Sequence, residues 1–277
     1  MLTLNCKGKL ILIDKPLVMG IINVTPDSFY ENSRQQNNGS ILLLAKKMIE
    51  EGADIIDIGG QSTRPGSERI SIKEELQRVL PAVETILKEY PNAIISVDTY
   101  QSKVAEDCIN AGAAIVNDVS AGNMDDAMLK TIARLQVPYV CMHMKGTPEN
   151  MQQQASYDNV TKEVLDFFIQ KIEDCKQAGI NDVIIDPGFG FGKTIEHNFT
   201  LLKNLSVFKM LDKPILAGLS RKATVYKTLN ITAAGALNGT TVLNTLALQN
   251  GANILRVHDV KEAREAVKLY QKYTAST

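Results

Sequence analysis

The chain has 277 residues, near the roughly 250 of a single eight-fold β/α barrel, with 44% hydrophobic residues, 22% charged residues and a formal net charge of −1. That balance offers no general attraction to nucleic acid or to an anionic membrane surface. There is no run of 18 apolar residues, and no cationic segment followed by a long apolar one at the start, so neither a membrane span nor a secretory signal is expected. No Pro/Gly/Ser-rich linker divides the chain, and the expectation is one domain over 1–277 in a cytoplasmic protein.

Residues 1–16, with Cys6-Lys7-Gly8-Lys9 between two β-type stretches, read as a hairpin able to close the bottom of a barrel. Eight short apolar runs follow: LVMGIIN (17–23), DIIDIGG (54–60), AIISVDT (93–99), AAIVNDV (113–119), VPYVCMHM (137–144), DVIIDPG (182–188), PILAGLS (214–220) and ANILRVHD (252–259). Each has the composition of a strand buried on both faces.

Helical patterns separate the runs, at 40–51, 102–111, 124–136, 194–210, 239–249 and 260–273, with a short extra turn at 221–229. Ser71 and Glu74 form a capping box ahead of the stripe Ile72, Leu76, Val79, Leu80, Val83 and Ile86, a helix that Pro81 is expected to kink or interrupt. Asp158 precedes a stripe containing Val164, Leu165, Phe168 and Ile172, which stops at Gly179. A strand-helix unit recurs about every 34 residues, as parallel βα units require. The expected fold is an α/β (β/α)8 TIM barrel with an N-terminal β-hairpin closing the bottom. A doubly wound open sheet is the alternative, but no GxGxxG follows the first run.

In such a barrel the carboxyl ends of all the strands meet at one face. Asp98, Asn117 and Asp186 end three strands, and Lys222 follows the seventh. A single strand-end Asp is more often a helix cap. Three polar residues at equivalent positions point instead to acceptors and donors for a flat heterocycle with an amino-imino edge. The last strand ends Arg256-Val257-His258, and the period of two puts Arg256 and His258 on one side, ahead of a helix N-terminus that suits phosphate. The plainer reading is an arginine neutralising a barrel-mouth carboxylate.

Two polar loops, from Thr25 through Ser40 and from Ser62 to Gly66, read as lids or clamps, with disorder as the alternative. The glycines of DPGFGFGK (186–193) permit close backbone approach to a ligand. Four cysteines without metal-like spacing read as reduced thiols, and three scattered histidines make no zinc cage, so any metal is expected to be oxygen-ligated Mg²⁺.

Taken together, GIINVTPDSF (20–29), DIGGQSTRPG (57–66), SVDT (96–99), NDVS (117–120), CMHMKGTP (141–148), DPGFGFGK (186–193), LSRK (219–222) and RVHD (256–259) resemble the dihydropteroate synthase family, over about residues 18–259. The resemblance implies condensation of 6-hydroxymethyl-7,8-dihydropterin diphosphate with 4-aminobenzoate, releasing diphosphate. It implies that Asp98, Asn117, Asp186 and Lys222 hold the pterin, with Met142 lining its slot and Arg256 near the ring. Thr63, Arg64, Arg256, Val257 and His258 would face the diphosphate, and Asn23 would contact Mg²⁺. Asn23, Thr63, Arg64, Arg256 and His258 would thus carry the catalysis. Phe29, Pro65, Phe191 and Ser220 would wall the aminobenzoate site. A homodimer through outer helices is also implied.

Three positions depart from the family pattern. Tyr30-Glu31-Asn32 stands where an acidic residue and glycines are common, Gln61 where Glu is frequent, and Ala223 where Ser often follows SRK. The alternatives are a pterin-binding methyltransferase, which has no diphosphate to expel, and a pterin-binding protein without turnover.

Overall fold

The computed structural model describes residues 2–24, 34–62, 67 and 69–276. Strands β1 (Leu2–Cys6) and β2 (Lys9–Ile13) pair antiparallel, and eight parallel strands follow: β3 (Leu17–Asn23), β4 (Ile55–Gly59), β5 (Ile95–Asp98), β6 (Ile115–Asp118), β7 (Tyr139–Met142), β8 (Val183–Asp186), β9 (Leu216–Ala217) and β10 (Ile254–Val257). Their hydrogen-bonded order is β8-β7-β6-β5-β4-β3-β10-β9, and a parallel bridge between Ile185 and Ile215 closes the ring. This is the expected barrel.

Strand alternation sorts the side chains into two apolar layers. Leu17, Met19, Ile55, Ile115, Val140, Ile184, Leu216 and Ile254 fill the barrel interior. Their neighbours in sequence, such as Val18, Ile56, Val116, Cys141, Ile185 and Leu255, pack outward against the helices. The hairpin completes the inner layer with Leu4, Cys6 and Ile13. Its turn places Lys7 at φ 52° and Gly8 at φ 87°, the left-handed pair that a two-residue hairpin needs. Asn5 N–H donates to Asp182 Oδ2 at 2.9 Å and Lys7 Nζ to Ile109 O at 2.7 Å. Asp182 directly precedes β8 and Ile109 lies in the last turn of the helix that precedes β6, so the hairpin closes the bottom.

The surrounding helices are α1 (Arg34–Glu50), α2 (Ile72–Glu89), α3 (Ser102–Asn110), α4 (Met128–Leu135), α5 (Val160–Ala178), α6 (Ile195–Lys203), α7 (Ala223–Tyr226), α8 (Leu237–Gln249) and α9 (Val260–Thr274). None among the described residues is long and apolar enough to cross a membrane.

Four details differ from the sequence expectation. Helix α2 runs through Pro81 without interruption, because the carbonyl that Pro81 leaves unpaired belongs to the exposed Gln77, where water can serve it. The cap of α5 is Asn159 rather than Asp158, its side chain accepting from Lys162 N–H. Helix α4 begins at Met128 because Asp125 turns the chain, its carboxylate accepting from Ala127 and Ser102 N–H. The helix expected over 194–210 breaks at Asn204 into α6 and a 3-10 segment at Leu205–Leu211.

Leu4 is 1% exposed at the centre of the plug. Leu4→Ala is expected to cost about 2–5 kcal/mol in urea unfolding, the range for a buried leucine truncation. A loss below about 0.5 kcal/mol would show that the hairpin does not share the barrel core.

Candidate active site

The polar residues at the mouth follow from the same alternation that fills the interior. Asp57, Asn117, Met142, Asp186 and Arg256 each stand two residues beyond an inner apolar residue: Ile55, Ile115, Val140, Ile184 and Ile254 respectively. Asp98 pairs in register with Asn117, and Met142 with Asp186. A polar ring therefore sits directly above the apolar layer.

Arg256 joins one side of that ring. Its Nε donates to Asp57 Oδ2 at 2.6 Å and its Nη2 to Asp98 Oδ2 at 2.5 Å. Asn117 Nδ2 also donates to Asp57 Oδ2, at 3.1 Å. Asp57 is 0% exposed, Asn117 3% and Asp98 7%, so the cluster is nearly dry. Burial raises the Asp98 carboxyl above the usual carboxylate range, and the charge of Arg256 opposes that rise. Burial works against the charge on Arg256 too, but Asp57 and Asp98 outweigh it and raise the guanidinium pKa. The upward direction holds for Asp98 because a single guanidinium is shared with Asp57.

Asp186 and Lys222 form the second side. A Cβ built on Gly218 would lie 3.6 Å from Lys222 Nζ and 4.0 Å from Asp186 Oδ2, so both groups meet over that glycine. Burial raises the Asp186 carboxyl and lowers the Lys222 ammonium to about 8. Lys222 Nζ donates to Phe189 O at 2.5 Å and lies 4.7 Å from the centroid of the Phe191 ring. Gly188 donates its N–H to Asp186 Oδ1 at 2.8 Å and has φ +69°; a Cβ there would fall 1.9 Å from His143 O, so only glycine fits. Phe191 also packs against a small apolar cluster of Tyr100, Val119 and Met142, which gives the mouth a greasy wall.

The third side contains His258 and Ser220. Ser220 Oγ lies 3.0 Å from His258 Nδ1 and accepts from His258 N–H at 3.1 Å. Partial burial and then the Arg256 charge lower the His258 pKa to about 4, although the residue as a whole is exposed. Among the described residues, three cations, Arg256, Arg221 and Lys222, act on the ring against one carboxylate, Asp259. Val257 is fully buried on the helix side, so its backbone is what it can offer a ligand. Asn23 ends β3 across Gly59 from Asp98 and is exposed.

The structure thus gathers Asp98, Asn117, Met142, Asp186, Phe191, Ser220, Lys222, Arg256 and His258 at one mouth, with Asn23 on its rim. Phe29, Thr63, Arg64 and Pro65 lie outside the described residues, as do Tyr30-Glu31-Asn32. Gln61 is 8% exposed and its Oε1 accepts from Ile70 N–H at 2.9 Å; Ala223 opens α7.

Three participants were not singled out from the sequence. Asp57 was legible in IIDIG, where the period of two turns a charge into the barrel. Lys193 is buried and donates to Gly188 O and Phe191 O, both at 3.0 Å, with His143 Nδ1 2.9 Å away. It fastens the 187–192 loop from beneath. Burial and then the Lys193 charge lower His143 to about 2, which keeps that imidazole neutral. Glu75, fully buried at the start of α2, receives Gln101 Nε2 on one oxygen, and burial raises its pKa. Nothing in the sequence distinguished it from an ordinary first-turn glutamate.

A cavity of about 560 Å³ lies on the outer flank, lined by residues that include Asn159, Lys162, His197 and Thr200. It includes none of the strand-end groups, so convergent chemistry rather than volume identifies the candidate site.

Residues 19–258 match the family profile described as pterin binding enzyme. The chain is 42% identical over 270 residues to the dihydropteroate synthase of Escherichia coli strain K12, covering 97% of this chain and 95% of that one. It is also similar to the solved dihydropteroate synthase of Xanthomonas albilineans with 4-aminobenzoic acid, with TM-score 0.93, 38% identity and 99% of each chain covered. The same enzyme in complex with 7,8-dihydropteroate gives TM-score 0.89 and 36% identity over 100% of both chains.

Asp57→Ala leaves Asn117 without its carboxylate and Arg256 with one partner instead of two. The expected cost is about 3–5 kcal/mol of folding stability, as for removing one member of a buried ion pair. Urea unfolding within about 1 kcal/mol of wild type would show that Asp57 does not hold the cluster.

Proposed function

The chain belongs to the pterin-binding enzymes and, among them, to the dihydropteroate synthases, and from that premise we propose how its mouth residues divide the work. It is a transferase of folate biosynthesis that condenses 6-hydroxymethyl-7,8-dihydropterin diphosphate with 4-aminobenzoate, giving 7,8-dihydropteroate and diphosphate. The observation that carries the residue assignment is the convergence of Asp98, Asn117, Asp186, Lys222 and Arg256 in one nearly dry ring.

In this assignment Asp98, Asn117 and Asp186 bind the polar edge of the pterin, Lys222 donates to its ring carbonyl, and Met142 and Arg256 face the ring. Departure of diphosphate leaves positive charge on an exocyclic carbon conjugated with that ring. Buried carboxylates at Asp98 and Asp186 favour a cationic ring, and orientation with charge stabilisation is most of what the reaction requires. Arg256 and His258, with Thr63, Arg64 and the Val257 backbone, take the leaving group. The attacking aromatic amine is neutral at pH 7, so no general base is assigned. Phe29, Pro65, Phe191 and Ser220 border the aminobenzoate.

Mg²⁺ fits at Asn23. The Asn23 side chain is exposed at the rim without a hydrogen-bond partner among the described residues, and an amide oxygen is a hard donor of the kind the ion prefers. When bound, the ion supplies charge neutralisation at the leaving diphosphate. Substrate oxygens and water would complete its shell, because the described residues hold no acidic or histidine cluster for a metal.

Two further readings concern assembly and compartment. Leu229, Ile231, Val242, Leu246, Leu269 and Tyr273, between 40% and 73% exposed on the α7–α9 side, support a homodimer through that face. Four free, buried cysteines support a reducing compartment, the cytoplasm.

Mixing both substrates with Mg²⁺ should release diphosphate and form dihydropteroate; methyl transfer to a corrinoid partner, or binding without turnover, would reject the assignment. Asp98→Asn and Asp186→Asn should each weaken pterin binding by about 1.5–3 kcal/mol in calorimetry, and unchanged affinity in both would remove them from the site.

The pH dependence has a definite sign. Because burial raises both carboxyls, they protonate as pH falls through those raised values, losing the negative charge and turning one acceptor oxygen into a donor. kcat/KM for the pterin should therefore fall on the acid side above the usual carboxylate range, and a flat profile down to about pH 4 would contradict this. Sedimentation at micromolar concentration should show a dimer, and a monomer there would reject the proposed face.

A further inference from the structure

Ser220 lies three residues beyond the end of the seventh barrel strand, in the turn that leads into α7, and is 4% exposed. Its hydroxyl oxygen accepts the His258 backbone N–H at 3.1 Å and lies 3.0 Å from Nδ1 of the same residue. No other partner for that hydroxyl exists among the described residues. A hydroxyl carries one hydrogen and two acceptor positions. If Nδ1 bore a hydrogen, both contacts would be donated into Oγ, and the buried hydroxyl hydrogen would have no acceptor. If Nδ1 is bare, the hydroxyl hydrogen goes to it and every hydrogen bond in the group is made. Satisfying the buried group selects the second arrangement.

We propose that Ser220 is a positioning residue that fixes His258 as the neutral tautomer protonated at Nε2, so that the ring meets the leaving diphosphate as a hydrogen-bond donor and not as a base. The inference deepens the reading of His258 as a diphosphate contact and rests on it. An imidazolium would restore the unfavourable Nδ1–H, and the cations Arg256, Arg221 and Lys222 oppose it. Asp259, the one carboxylate beside the ring among the described residues, is taken by Arg221, whose Nε and Nη2 donate to it at 2.9 and 2.8 Å.

The bond from the exocyclic carbon to the diphosphate oxygen breaks with both electrons leaving on oxygen, the aminobenzoate nitrogen bonds that carbon with its lone pair, and the extra proton on the nitrogen passes to water. The Nε2–H keeps its proton and donates to the charge that accumulates on the leaving oxygen. Such a donor is worth more in the transition state than in the ground state.

The chain has only three histidines, His143, His197 and His258, so histidine-selective ¹⁵N labelling of the full-length enzyme, with His258→Asn for assignment, gives a readable long-range ¹H–¹⁵N spectrum without substrate. Between about pH 6 and pH 8, His258 should show a protonated Nε2 and a bare Nδ1. Ser220→Ala should turn this into a mixture of tautomers and lower kcat about tenfold, the equivalent of one hydrogen bond. Ser220→Thr, which keeps the hydroxyl, should restore both.

A wild-type ring protonated at Nδ1 would overturn the proposal, as would a Ser220→Ala enzyme with the wild-type tautomer or with unchanged kcat. The wild-type spectrum decides the tautomer even if the alanine variant does not fold. Failure of the parent reading would show separately, as wild-type enzyme that releases no diphosphate while its tautomer is as assigned.

Discussion

Arg256 holds together two buried carboxylates that would otherwise repel each other. It reaches Asp57, 199 residues away in sequence, and Asp98, 158 residues away, and so ties the last barrel strand to the second and third. Two like charges about 4 Å apart at an effective dielectric of 20 repel by about 4 kcal/mol, and one guanidinium between them reverses the sign. Asn117 is then placed by its bond to Asp57. The polar ring can exist above an apolar barrel only because this cation closes it.

The opposite side of the mouth is built by two lysines on either side of one glycine-rich loop. Lys193 anchors the carbonyls of Gly188 and Phe191 from inside the fold, and Lys222 takes the carbonyl of Phe189 from the mouth side. These bonds act together with packing, since Phe189 is buried in the core and Phe191 lies against the small apolar cluster at the mouth as a wall. Burial weakens the hold of both ammonium groups on their protons. The mouth cluster is nearly dry, a condition under which a few fixed dipoles and ions act strongly on a developing cation.

Much of this was legible in the residues. The eight apolar runs gave the strands because strands buried on both faces leave an unbroken apolar signature, and the turn Lys7-Gly8 marked the hairpin. Strand-end Asp98, Asn117, Asp186 and Arg256 could be placed at one face from alternation and topology alone. Asp57 was missed because its strand was read as a uniform apolar run, although the period of two would have turned it inward. Lys193 and Glu75 were not legible for a different reason: their burial depends on elements brought together only by the closed barrel. The breaks at Asn204 and Asp125 were hidden because side-chain bonds, invisible to hydrophobic periodicity, decided them.

If Arg256 serves the reaction as proposed, Asp57, which holds its guanidinium, acts on the reaction through it. This central claim is tested most directly by a double-mutant cycle on kcat/KM between Asp57→Asn and Arg256→Gln. If the claim holds, Asp57→Asn slows the wild-type enzyme by at least about tenfold but changes the Arg256→Gln enzyme by less than about twofold, because its target is already gone. Equal effects of Asp57→Asn in the two backgrounds would contradict it.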